Sequence, residues 1–196
     1  MLKIERFSRI EEELKKKGSL DIPTLSQMLE CSDETVRRDL RELETLGRLN
    51  RIRGGAYLSD KYDKTYASPL RKTLYQKEKS QISRKAIEFV HDRDVVFLDS
   101  STTCLTLAGL LLDSKLSLTI VTNSMLICSL CTELNSHINL ICLGGNLRTR
   151  TQSFVGYHTT DILATYYADC AFISCPKVTL SEGLSDNYLN EARVRE

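Results

Sequence analysis

Three polar clusters follow apolar runs in the C-terminal part of the chain: Asp99-Ser-Ser-Thr-Thr103, Thr122-Asn123-Ser124 and Gly144-Gly145-Asn146, the last with Arg148 and Arg150 close behind. A short apolar run before each cluster predicts a strand. In open parallel sheets, ligands sit beyond the carboxyl ends of the strands, where loops and helix N-termini converge. Hydroxyls and backbone N–H groups in the first cluster can hold a phosphate, and glycines in the third let a ligand approach the backbone. The candidate ligand-binding residues are therefore Asp99, Ser101, Thr102, Thr103, Thr122, Asn123, Gly144, Gly145 and Arg148. For Ser101 or Ser124 alone an ordinary helix N-cap is the simpler account; the three clusters together point to a pocket.

A second chemistry is written near the N-terminus. At 100° per residue, Val36, Leu40 and Leu43 share one helical face, while Glu34, Arg37, Arg38 and Arg41 cluster on the other. One face packs and the other is a basic comb. Ser32 can cap this helix, Asp33 and Glu34 suit the positive end of its dipole, and Gly47 is the expected stop. A charged face is often merely solvated, and Glu42 and Glu44 dilute this one, so the context carries the reading. Upstream, Ile4, Phe7, Ile10 and Leu14 predict a first helix from about Leu2 to Lys17, ended by Gly18. Asp21 and Pro23 open a short second helix with Leu25, Met28 and Leu29 inward. Three short helices with a tight turn before the third make a helix-turn-helix, whose last helix enters the major groove. Downstream, Arg48 to Leu58 reads as a hairpin around a Gly54-Gly55 turn, a wing that carries Arg51 and Arg53 toward phosphates. The candidate DNA-binding residues are Ser32, Glu34, Thr35, Arg37, Arg38, Arg41, Arg51 and Arg53.

Charge is distributed to match. The whole chain carries a net +1 from 27 basic and 26 acidic side chains, so no whole-molecule field holds it on nucleic acid or an anionic membrane. Residues 48–79 hold nine basic against three acidic side chains, whereas residues 1–47 and 80–196 are each slightly acidic. The basic surface is local.

Several classes are excluded or disfavoured. The N-terminus is charged every two or three residues and has no apolar signal segment. No window approaches the roughly 18 apolar residues of a membrane helix, so a cytoplasmic protein without membrane contact is expected. Seven cysteines, most of them in apolar runs, read as small buried hydrophobes in a reducing compartment. Cys128 and Cys131 form a C-x-x-C with neither a second pair nor a His at finger spacing. No metal, cofactor or catalytic residue is assigned.

The run Ser32-Asp-Glu-Thr-Val-Arg-Arg-Asp-Leu40, followed by Leu43, Gly47, Leu49, Arg51 and Gly54-Gly55-Ala56, resembles the winged-helix signature of the DeoR family of bacterial transcriptional regulators. Arg53 stands where the family usually has His. Asp99-x-x-Thr-Thr103, Thr122-Asn123, Gly144-Gly145, Ser153-x-x-Gly156, Asp169-x-x-Phe172 and Gly183-Leu184 resemble that family's effector domain. The resemblance implies a fold similar to ribose-5-phosphate isomerase that binds phosphorylated sugars. Departures are Ser100 for a glycine, Cys175-Pro176-Lys177 for small residues, and Arg195 for a Lys. Family members continue past the Glu191-Ala192 helix, so the resemblance implies a chain truncated at its C-terminus.

The expected architecture is α/β: a winged helix-turn-helix domain over 1–58, a linker and the start of a connecting helix over 59–79, and a larger effector-sensing domain over 80–196. That domain has a mostly parallel sheet with strands at Val95 to Leu98, Leu118 to Val121, Leu140 to Leu143 and Ala171 to Ser174. Helices are expected at Cys104 to Leu112, Met125 to Leu134 and Thr159 to Tyr166, after a helical stretch with Ile82, Ala86, Ile87 and Val90. The function implied is a DNA-binding regulator, a repressor of a sugar operon, acting as a homo-oligomer on double-stranded operator DNA and answering to a phosphorylated sugar. The rival readings are a phosphosugar isomerase with Asp99 or Asp169 as base, for which no base and acid pair stands out, and a winged helix that binds protein alone.

Overall fold

The computed structural model describes residues 1–58, 68–133 and 137–196. These fall into two compact units, Met1–Leu74 and Tyr75–Glu196.

In the first unit, α1 (Lys3–Lys17) stops at Gly18, whose φ of 75° suits a residue without a Cβ. A strand, β1 (Ser19–Asp21), follows, and then α2 (Ile22–Leu29), N-capped by the Asp21 carboxylate, which accepts from Thr24 N at 2.7 Å. Ser32 caps α3 (Asp33–Thr45). β2 (Asn50–Ile52) and β3 (Gly55–Tyr57) form the hairpin, and β1 joins on the other side of β3, so the antiparallel sheet runs β1-β3-β2. A further helix, α4 (Ser68–Thr73), packs on β1. The expected linker from Ser59 lies mostly outside the described residues, as do Lys61 and Lys64.

Three details differ from expectation. The hairpin turns at Arg53-Gly54, because Gly55 already pairs with Ile52 and Asp21. The buried stripe of α1 is Phe7, Ile10 and Leu14, whereas Ile4 is 74% exposed; it lies about 120° round the helix from Ile10, outside the face that packs. β1, three residues long, carried no strand signal. The core gathers Ile10, Leu14, Leu25, Leu29, Val36, Leu40 and Leu43, which fixes α3 by its apolar face and leaves its basic face outward. Within this packing Asp39 is fully buried and receives two bonds from Arg6, Nε to Oδ2 at 2.6 Å and Nη2 to Oδ1 at 3.1 Å, a bidentate tie between α3 and α1.

In the second unit, α5 (Gln76–Ala86) and a 3-10 turn (Ile87–Phe89) lead into β4 (Val95–Leu98), α6 (Thr102–Asp113), β5 (Thr119–Thr122), α7 (Met125–Glu133) and β6 (Asn139–Cys142). A hairpin of β7 (Asn146–Arg148) and β8 (Ser153–Val155) precedes α8 (Tyr157–Leu163) and β9 (Cys170–Phe172). A second hairpin, β10 (Lys177–Thr179) and β11 (Gly183–Ser185), precedes α9 (Leu189–Arg195). The four-stranded sheet has the order β6-β5-β4-β9 and is parallel throughout. Alternate strand residues face opposite layers. Val96, Leu98 and Ile120 pack against α6 and α7, and Phe97 and Val121 against Leu163 and Val194 of α8 and α9. Covering both faces requires the continuous apolar runs seen in the sequence. Ile82 is a correction: it is 55% exposed, because Ser83 takes the inward position beside α6, where its hydroxyl donates to Thr103 O at 3.3 Å. Leu134, at the expected end of α7, lies outside the described residues. Among the described residues no helix is long and apolar enough to cross a membrane.

Removing the Arg6 side chain strands the Asp39 charge in the core. Arg6→Ala is expected to destabilise the N-terminal unit by about 3 kcal/mol, read as a lowered urea midpoint in circular dichroism; an unchanged midpoint would mean the pair contributes nothing.

Candidate functional site

On the outer face of α3 the arginines are not equivalent. Glu34, in the first turn, accepts from Arg41 Nη2 at 3.0 Å and lies 3.8 Å from Arg37 Nη1, while Arg37 also lies 3.7 Å from Asp33. Ser32 and Thr35 are occupied with capping and with each other, Oγ to Oγ1 at 3.0 Å. In the wing, Arg51 donates to Glu44 through both Nε, at 2.7 Å, and its backbone N, at 2.9 Å; these bonds hold the Glu44 carboxyl below its ordinary pKa. Arg38 and Arg53 are exposed, and among the described residues neither makes an ion pair or side-chain hydrogen bond. The eight expected DNA-binding residues thus share two neighbouring elements, α3 and the hairpin, but two of the guanidinium groups stand uncommitted.

At the carboxyl end of the parallel sheet, successive strands run from β4 outward through β5 to β6, and the chain then returns to β9 on the other side of β4. The order reverses between β4 and β9, which is where a crevice opens in such sheets. Asp99 spans it. Buried to 1% exposure, its carboxylate accepts from Ser101 N at 2.8 Å on the β4 side and from Ser174 N at 2.9 Å on the β9 side, and from Arg195 Nε at 3.0 Å. Arg195 also pairs with Asp186 and Glu191. Burial works against its charge, but Asp99, Glu191 and Asp186 outweigh that and hold it protonated.

Glu191 was not among the expected site residues, yet it is the most heavily bonded carboxylate there. It accepts from Ser153 Oγ at 2.6 Å, Thr151 Oγ1 at 2.8 Å, Arg148 Nη1 at 2.9 Å and Ser100 Oγ at 3.4 Å. Burial raises its pKa, and the Ser153 and Thr151 hydroxyls, Arg195 and Arg148 outweigh burial, so the net direction is downward from the ordinary glutamate value. The only sequence signal for it was the Glu-Ala pair four residues before Arg195.

The other expected residues divide by role. Ser101 is the N-cap of α6, accepting from Cys104 N at 3.0 Å, so the simpler account holds for it. Thr102 and Thr103 form the first turn of α6, with their backbone at the positive end of its dipole. Thr122 Oγ1 donates to Leu98 O at 2.6 Å and accepts from Ser124 N at 3.0 Å, which fastens β5 to β4. Asn123 donates to Phe154 O, and its Oδ1 is buried with no partner among the described residues, an acceptor that a ligand hydroxyl can satisfy. Gly145 has φ +110°, and a Cβ there would lie 2.1 Å from Thr159 Oγ1, so the glycine makes room for α8. Arg148 is drawn to Glu191 and stacks on Tyr188, its carbon Cζ 4.2 Å from the ring centre. The cysteines also depart from expectation: Cys104 and Cys131 are buried, Cys142 is exposed and the rest are half-buried. Among the described residues no group of three or more His, Cys, Asp or Glu is arranged to hold a metal ion.

The sequence model of the DeoR-like helix-turn-helix domain matches residues 6–62, and that of the DeoR C-terminal sensor domain matches residues 75–196. The chain belongs to the DeoR family. It is similar to the HTH-type transcriptional regulator IolR of Bacillus subtilis, 34% identical over 197 residues that cover 100% of this chain and 76% of the relative. It is also similar to the lactose phosphotransferase system repressor of Streptococcus mutans, 34% identical over 96% of this chain and 75% of the relative. A putative aga operon transcriptional repressor of Escherichia coli O157:H7 is 29% identical over 97% of this chain and 71% of the relative. As a DeoR-family member the protein is a DNA-binding transcription regulator with a sensor domain, and the isomerase alternative falls.

Because the folded pKa of Glu191 lies below its unfolded value, its contribution is complete above the ordinary glutamate pKa and is lost as pH falls through the folded one. Glu191→Gln is expected to cost about 3 kcal/mol at neutral pH, by leaving buried guanidinium charge without its partner. The cost should shrink from about pH 5 downward as the parent carboxylate protonates. Urea midpoints measured on both proteins across that range check it; a pH-independent difference would remove the carboxylate's charge from the account.

Proposed function

We propose that the protein is a cytoplasmic repressor of a sugar-metabolism operon, working as a homo-oligomer whose operator affinity is set by a phosphorylated sugar. Two-fold pairing suits the chemistry, because a dimer reads two half-sites one helical turn or a multiple apart. The observation that carries the effector half is the reversal of strand order between β4 and β9, with Asp99 bridging the two loops beside the first turn of α6. Thr102 and Thr103 offer backbone and hydroxyl groups to a phosphate, and Asn123 Oδ1 offers an acceptor to a sugar hydroxyl. The lactose and aga operon repressors among the relatives support sugar as the class.

On the DNA side, Arg38 is the base reader and Arg53 the wing's phosphate contact, since both are exposed and uncommitted. Arg37 and Arg41 reach DNA by leaving Glu34, and Arg51 by leaving Glu44. Arg38→Ala should therefore weaken specific operator binding by about 1 to 3 kcal/mol, and Arg51→Ala by less, since Glu44 already neutralises its charge. Arg53→Ala should weaken specific and nonspecific DNA alike and lower the salt slope by roughly one unit. Fluorescence anisotropy on operator and random duplexes over a salt series measures all three. Equal operator affinity for the Arg38 variant and the parent would overturn the assignment of α3.

For the sensor, calorimetric titration with a set of pentose and hexose phosphates, and with inorganic phosphate as control, is expected to find one sugar phosphate that binds and changes operator affinity by roughly 5- to 150-fold, the range of a typical coupling. Thr103→Ala should weaken that binding. Binding unchanged in the variant would move the phosphate to another loop, and turnover of the sugar phosphate would contradict a sensor.

A further inference from the structure

Glu34 is a carboxylate on a face of α3 otherwise made of arginines. At 100° per residue it lies about 150° round the helix from the centre of Val36, Leu40 and Leu43, with Arg41 about 20° to one side and Arg38 about 40° to the other. Asp33 stands only about 50° from that centre, on the flank of the packed face. The Glu34 side chain is 73% exposed, against 48% for Asp33. As the second residue of α3 it belongs to the turn that meets base edges in a helix-turn-helix. In the free protein each of its oxygens has a guanidinium of its own: Oε1 accepts from Arg41 Nη2 at 3.0 Å, and Oε2 lies 3.8 Å from Arg37 Nη1. Stability does not explain this placement, because exposed pairs contribute little and Asp33 already puts a carboxylate at the positive end of the helix dipole. DNA affinity does not explain it either, because a negative charge facing phosphates is repelled.

We propose that Glu34 is a specificity-determining residue that reads a cytosine in the major groove of the operator. The inference rests on the reading of α3 as the base-reading helix. When Arg37 and Arg41 turn to phosphates, both Glu34 oxygens lose their donors, and the groove must supply a replacement. An ionised carboxylate only accepts hydrogen bonds. Cytosine is the one base that shows the major groove a donor, its N4 amino group, without an acceptor of its own beside it. Adenine sets its N7 acceptor next to the N6 donor, guanine shows the acceptors N7 and O6, and thymine shows the O4 acceptor and a methyl group. A carboxylate thus matches cytosine and faces a lone pair on each of the others. The discrimination is largely repulsive: over a wrong base Glu34 has neither its arginines nor a donor. The same charge that weakens binding to DNA in general therefore sharpens the choice of sequence, and Arg37 and Arg41 shield it until DNA is met.

The test is in vitro selection from a duplex pool with a randomised core, run on the full chain as parent, Glu34→Ala, Glu34→Gln and Arg38→Ala. Fluorescence anisotropy on the selected duplex and its single-base variants follows, at one salt concentration. The parent is expected to select a cytosine that Glu34→Ala no longer selects. Glu34→Gln should turn the preference at that position toward adenine, because a side-chain amide donates to N7 and accepts from the N6 amino group. Exchanging the cytosine should weaken the parent by about 5- to 150-fold, the span of one mismatched base pair, and leave the affinity of Glu34→Ala unchanged. Glu34→Ala should bind random duplex at least as tightly as the parent, and Arg38→Ala should keep the cytosine and lose a different position. Identical base preferences in the parent and both Glu34 variants, with a position lost in Arg38→Ala, would overturn this inference and leave α3 as the reader. So would a base other than cytosine at the position that depends on Glu34. Unchanged preferences in all three variants, or a parent that selects no sequence, would overturn the reading of α3 itself and this inference with it.

Discussion

The sensor unit is organised around one buried carboxylate. Glu191 sits on α9, but its partners come from the β7–β8 hairpin (Arg148, Thr151, Ser153), from the loop after β4 (Ser100) and from its own helix (Arg195), which in turn grips Asp99. A charge at 2% exposure is tolerable only when its hydrogen-bonding capacity is filled by donors in good geometry. Filling it dictates where α9 lies, how the hairpin folds back and how the β4 loop is held. Replacing the cluster with apolar side chains of similar size would pack as well, since buried ion pairs are weak sources of net stability. What it supplies is a polar, ordered wall beside the crevice, which an apolar core cannot offer a charged or hydroxylated ligand.

The N-terminal unit solves a smaller version of the same problem. Its helices are too short to be stable alone, so their positions come from packing of apolar faces, and Arg6 with Asp39 sets the register of α1 against α3. The pairs Lys3 with Glu42 and Arg51 with Glu44 are exposed, and such surface pairs contribute little to stability. Their larger effect is on binding. They lower the field of the recognition face in the free protein, so contact with phosphates exchanges one set of partners for another.

Much of this was legible in the sequence where a local rule applied. Four-residue apolar runs placed three strands of the parallel sheet to within a residue and β9 to within two, and Ser32, Asp21 and Ser101 announced helix starts because capping is a local preference. Strands of three residues with mixed side chains, β1, β7, β8, β10 and β11, carry too few alternations to register as a period. The site was legible in half. Asp99 and Thr103 lie at a strand end that periodicity finds, whereas Glu191 reaches Ser100 across 91 positions of sequence, and no spacing rule connects them. The pairing of Arg148 with Glu191 was equally illegible, because an arginine near glycines shows nothing of a carboxylate 43 positions away. The cysteines misled for the converse reason: an apolar neighbourhood in sequence says that the element is buried, and the last residue of a strand can still emerge from it, as Cys142 does.

The charge of the crevice bears on how a sensor of this kind can respond. Asp99, Glu191 and Asp186 face Arg148 and Arg195, so the cluster is formally one negative charge in excess and already internally paired. On the proposed reading a phosphate dianion is not drawn in by net charge, and its first partners are the first-turn amides of α6 and the helix dipole. For Arg148 or Arg195 to turn toward it means leaving a carboxylate, and Arg195 is the hinge of that exchange, because among the described residues it alone contacts Asp99, Asp186 and Glu191 together. Moving Arg195 loosens α9, which is held to the sheet by Val194 and by the same ion pairs. On the proposed reading, binding energy at the β4 loop is thus converted into displacement of α9. A ligand shifts an equilibrium only by its differential affinity for the two arrangements, and a pre-paired cluster supplies that difference where a vacant cationic pocket would bind anions in either arrangement.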